Sequence, residues 1–127
     1  MLPNTKISGT IMEFGRGLIN TLPQDHSRQE LEAAMKIIIT VWNSLVLDKW
    51  QNSNKNEAML LETIANEPKL VQLEFKRLIK RKKKKFADDS RAVGEHWIRE
   101  ERGEYIFGCE ARLDIENMPV DEDSPKH

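Results

Sequence analysis

Eight of the ten residues from Lys76 to Lys85 are lysine or arginine, and none is acidic. Cations at this density neutralise phosphates and release counterions without any defined geometry, so the run is a candidate polyanion surface, with Lys76, Arg77, Lys80, Arg81, Lys83 and Lys84 as the contact residues. Other uses compete with that one. Cations at the C-terminal end of a helix are favoured by its dipole and can be neutralised by the chain's own acids, and a protein partner could also dock there. No aromatic residues are interleaved to stack bases, which makes nucleic acid possible but less favoured than a solvated face.

The remaining reactive side chains are scattered. His26, His96 and His127 show no two-histidine spacing on one helix, and no metal is expected. Cys109 is the only cysteine, so the chain can form neither an internal disulfide nor a thiolate zinc site, and a reducing compartment is the default. Gly-rich phosphate loops and serine-nucleophile motifs are absent, and no cofactor is expected.

Arg91-Ala-Val-Gly-Glu-His96 has an arginine, four residues and a histidine. In that spacing it resembles the signature of HEPN-type ribonucleases, small helical proteins. The resemblance covers two residues and implies a phosphate held by Arg91 and proton transfer by His96. In that family the signature lies on a helix. Here the surrounding alternation predicts a strand, where positions five apart face opposite sides, so a ribonuclease is the alternative reading.

With 127 residues the chain can hold one core, and residues 1–113 are expected to form a single domain. A composition 39% hydrophobic and 32% charged excludes wholesale disorder. The formal charge is −1, but removing Lys76–Lys85 leaves 12 basic against 21 acidic residues, a remainder of −9, so the charge is strongly segregated. The start of the chain lacks the basic-then-apolar grammar of a secretory signal. The longest uncharged run, Ile37 to Leu47, is too short to span a bilayer. A cytoplasmic location without membrane contact is the expectation.

Hydrophobic rhythm supplies the elements that would position these groups. Thr10-Ile-Met-Glu13 has the form of a capping box, predicting a helix from about Thr10 to Leu22 that Gly15 and Gly17 would let another element approach closely. Ser27-Arg-Gln-Glu30 is a second capping box, and apolar residues recur at three and four from Leu31 to Leu45, predicting a central helix over about 27–50. Its apolar girdle, Ile37 to Leu47, points to a core helix or one shared with a second copy, hence a possible homodimer. A short helix is expected from Glu57 to about Asn66, and a fourth from Pro68 to about Asp88 whose C-terminal half is the basic run.

Beyond Asp88 the period changes to two. Tyr105, Phe107, Cys109, Ala111 and Leu113 alternate with polar residues, and Gly103 separates them from an earlier extended stretch, so a β-hairpin is expected over about 92–114. A three-residue loop, Glu101-Arg102-Gly103, keeps arginine out of positive φ. It sets Val93 opposite Ala111, Trp97 opposite Phe107 and Arg99 opposite Tyr105, with His96 on the far face. Cys109 reads as a small core residue with no electropositive neighbour. Residues 114–127 read as a mobile acidic tail.

These readings converge on an α+β fold, three or four helices around the central one followed by the hairpin. The expected function is a small non-enzymatic interaction protein that binds a protein partner, or a polyanion such as RNA, through its basic helix.

Overall fold

A computed structural model describes residues 6–112. Five helices, α1 (Ile7–Phe14), α2 (Arg16–Ile19), α3 (Arg28–Gln51), α4 (Lys55–Thr63) and α5 (Lys69–Lys85), precede an antiparallel hairpin of β1 (Ala92–Glu101) and β2 (Glu104–Arg112). The fold is the α+β arrangement expected from the sequence. The tail from residue 114 on lies outside the described residues, as does the last expected hairpin position.

Helix α3 is the hub. Ser27 Oγ accepts from the Glu30 amide at 3.1 Å and Glu30 Oε1 accepts from the Ser27 amide at 2.8 Å, the reciprocal cap its sequence announces. The helix ends where Asn52 takes the left-handed conformation. Within the apolar girdle, Ile38, Ile39, Val41, Trp42, Leu45 and Val46 are buried and Ile37 and Leu47 half-buried, all within one chain. Most of the girdle is thus covered by other elements of the same chain. Buried Asp48 accepts the Asn56 and Glu57 amides, each at 2.9 Å, and so caps the first turn of α4 from a distance.

The first helix differs from its expected form. Thr10 is not an N-cap but a buried residue in mid-helix, its hydroxyl turned to the Lys6 carbonyl at 3.4 Å. The helix starts three residues earlier because Ile7 extends the apolar stripe Ile7, Ile11, Phe14, whose burial outweighs a local capping signal. It breaks at Gly15, where any Cβ would collide with Ile38 of α3. Gly17 has no such close neighbour.

Phe14, Trp42 and Phe86 meet edge to face, with ring centres 5.1–5.7 Å apart, where α1, α3 and the end of α5 converge. One buried cluster continues from there through Leu60, Leu78 and Ile79 to Ala92, Val93, Ile98 and Phe107 of the hairpin.

The hairpin register differs from the expected one. Its loop has two residues, Arg102 (φ 53°) and Gly103 (φ 80°), both left-handed, between paired Glu101 and Glu104. Ile98, not Trp97, stands opposite Phe107, and Glu100, not Arg99, opposite Tyr105. A bulge between Val93 and His96 adds one residue to β1 and restores Val93 opposite Ala111. The register puts Ile98 and Phe107 together in the core, and that burial overrides the strain at Arg102. As a result His96 lies on the Phe107 side, ring centres 6.4 Å apart, although solvent reaches it. Trp97 lies on the opposite, exposed face, its indole over Gly108, where a Cβ would strike it.

Candidate functional site

The two sides of α5 have different fates. Leu78, Ile79 and Lys82 face the core, while the other basic residues spread over the opposite arc of the helix. Arg81 is bound internally: its guanidinium donates to the carbonyl oxygens of Phe14 (3.1 Å) and Glu13 (3.0 Å) at the C-terminal end of α1, and to the Glu13 carboxylate (3.3 Å). Arg77 pairs with Glu74 at 3.3 Å on the surface. Both line a cleft of about 290 Å³ between α2 and α5 into which Arg16 also reaches, but Glu13 and Glu74 oppose the three guanidinium groups there.

Lys83 pairs with Glu57 of α4 at 2.8 Å. Lys76, Lys80 and Lys84, together with Lys85, are exposed and take no carboxylate partner among the described residues. Lys76, Lys80, Lys83 and Lys84 rim a groove of about 380 Å³ between α4 and α5, floored by Leu61 and Ile79, with Glu57 at its edge. Of the six contact residues read from sequence, four therefore gather on this groove, and Arg77 and Arg81 turn to the other side of the helix. Leu61 and Glu57 escaped the sequence reading, since the α4–α5 approach that brings Glu57 to Lys83 spans 26 residues.

Lys82 belongs to the core. Burial pushes its amine down to about 8, against the opposing attraction of Asp89. The neighbouring segment is clasped throughout: Lys49 Nζ donates to the Ala87 carbonyl, Trp50 Nε1 to Ser90, Trp42 Nε1 to Arg91, and Asn43 exchanges two bonds with Val93.

Arg91 sits in this clasp. Its guanidinium holds the Asp89 carboxylate at 2.6 and 2.9 Å and donates to Thr10 Oγ1 at 3.2 Å. Burial alone would raise the Asp89 carboxyl, but the bonds from Arg91 hold it below its ordinary value. His96 lies beyond the bulge on β1, paired in register with Cys109. The Arg91–His96 spacing thus crosses a loop and a strand, not the single helix face that the HEPN resemblance implies. Cys109 packs against the core cluster, and burial raises its thiol to about 11. Contrary to expectation it has a cationic neighbour, since Arg91 pulls the thiol the other way, but burial prevails.

Among the described residues no three His, Cys, Asp or Glu side chains gather as a metal centre requires, and no helix is long and apolar enough to cross a membrane. Comparison with known proteins yields no relative: no family model, no curated protein and no solved structure matches this chain.

Proposed function

We propose that this chain is a non-enzymatic interaction module that binds a polyanion, with RNA as the reference ligand, through the exposed face of α5. The observation that carries this reading is the set Lys76, Lys80 and Lys84, three exposed cations at four-residue spacing along one side of α5, with exposed Lys85 at the helix end, none with a carboxylate partner among the described residues. The set spans ten residues of helix, about 15 Å, comparable with a few successive phosphates of an extended strand. Lysine suits such a contact because a compact ammonium on a flexible stem meets a phosphate at many angles.

The test is fluorescence anisotropy with a labelled oligouridylate across a salt series. Affinity falls with a log–log slope of roughly −0.7 per phosphate neutralised on a single strand. The combined variant Lys76→Gln, Lys80→Gln, Lys84→Gln, Lys85→Gln retains the fold, because it spares Arg81 and Lys82, and loses most of the affinity and slope. Undetectable binding by the unaltered chain at low salt, or an unchanged slope in the variant, overturns the proposal.

A further inference from the structure

The α4–α5 groove has a feature that phosphate binding does not require. Beneath its lysine rim the floor is apolar, made by Leu61, which is 36% exposed, and Ile79. Four lysines stand against one glutamate, Glu57, so the rim carries a surplus of three positive charges. An occupant complementary to both parts needs carboxylates interspersed with apolar side chains.

The chain carries such a segment. Residues 114–123, Asp-Ile-Glu-Asn-Met-Pro-Val-Asp-Glu-Asp, have five acids, no base, and Ile115, Met118 and Val120 among them. We infer that segment 114–123 docks in the α4–α5 groove of its own chain, setting carboxylates on Lys76, Lys80 and Lys84 and apolar side chains on Leu61 and Ile79.

Reach is set by how the end of β2 is tied to α5. Arg112 at the end of β2 pairs with Ala92, seven residues after the end of α5, and Lys82 Nζ ties the Asp89 carbonyl back to that helix at 2.9 Å. From Arg112 to Asp123 the chain runs eleven residues, about 36 Å when extended, of which the passage from Lys84 to Lys76 along α5 takes about 12 Å, leaving the rest to cross from the end of β2. Tethering also lowers the affinity needed, because a segment joined covalently to the domain meets its site at an effective concentration in the ~mM range. Residues 114–123 and an external polyanion share Lys76, Lys80 and Lys84, so the segment acts as a built-in competitor for the face assigned above. The docking itself does not depend on that assignment.

Zero-length carbodiimide cross-linking of the full chain, read by peptide mass spectrometry, tests the inference directly. At low salt we expect amide links from acids of 114–123 to Lys76, Lys80 or Lys84 in the species of 14.8 kDa. We expect their yield to fall several-fold in Leu61→Asp, which puts a carboxylate on the groove floor at a position already partly in solvent. Links confined to a species of twice that mass would assign the groove to a second copy. Links scattered over lysines elsewhere, no links, or equal yield in Leu61→Asp would also overturn the inference. None of these outcomes touches the oligouridylate measurement, so failure here leaves the polyanion reading standing or falling on its own.

Discussion

The ammonium nitrogen of Lys82 lies 4.5 Å from the centre of the Trp42 ring and donates to the carbonyl oxygens of Phe86 at 2.6 Å and Asp89 at 2.9 Å. A member of the longest cationic run in the chain thus acts as an internal brace, closing the end of α5 onto the loop that leads to β1.

This brace makes stability depend on pH with a definite sign. The folded amine titrates near 8 and the unfolded one near 10.5, so between these values the unfolded state binds more protons and stability rises with pH. Cys109 opposes it higher up: its folded thiol titrates near 11 against 9 unfolded, so stability falls as pH rises from about 9 to 11. Urea unfolding midpoints should therefore increase from pH 8 to 9, Lys82→Met should abolish the increase, and Cys109→Ala should extend it toward pH 10. A flat profile in the unaltered chain would refute the assignment.

The Asp89–Arg91 pair predicts the acid limb. Because Arg91 holds the Asp89 carboxylate below its ordinary 3.8, its contribution is complete above that value and is lost as pH falls through the folded pKa. Asp89→Asn should cost about 1–3 kcal/mol at neutral pH and flatten the acid limb, measured by denaturant unfolding at pH 7 and pH 3.

Arg91 and His96 should behave differently on truncation. Arg91→Ala removes the link between Asp89 and Thr10 and should cost about 1–3 kcal/mol, whereas His96→Ala at an exposed strand position should stay within about 0.5 kcal/mol. Equal, silent substitutions in stability with joint loss of RNA cleavage would instead favour the ribonuclease alternative.

The turn offers an improvement. Arg102 at φ 53° bears left-handed strain that asparagine tolerates better, so Arg102→Asn should stabilise the hairpin by up to about 1 kcal/mol, and Gly103→Ala should destabilise it. Thermal midpoints in opposite directions are the expected readout.

Helix α3 was readable because its cap, its rhythm and its burial agree at every level: Ser27 and Glu30 close the box, and Leu31, Ala34, Met35, Ile38, Val41, Trp42 and Leu45 fall on the buried side. Thr10 and Glu13 carry the same local signal, yet Ile7 and Phe14 pull the helix start upstream, which no four-residue pattern contains. The hairpin was visible from its alternation. Its register was not, because avoiding positive φ at Arg102 is a local preference, and the placement of Ile98 against Phe107 is decided by the helices beneath. The site was half legible for the same reason. Composition located the cations, but that Arg81 would close α1 and Lys82 enter the core depends on contacts 67 residues away and on the Trp42 ring.

The clasped segment between α5 and β1 also governs where the chain can vary in length. Trp42, Asn43, Lys49 and Trp50 grip carbonyls at 91, 93, 87 and 90, so adding or removing one residue there would put several bonds out of phase at once. The exposed stretch at 52–54 is held by its own neighbours, the Lys49 and Asp48 carbonyls accepting the Asn52 and Ser53 amides, so an insertion there has chiefly to preserve the Asp48 cap on Asn56 and Glu57. Length changes should accordingly be accepted in the three-residue α3–α4 connection and rejected in the six-residue α5–β1 connection, although the latter is the longer loop.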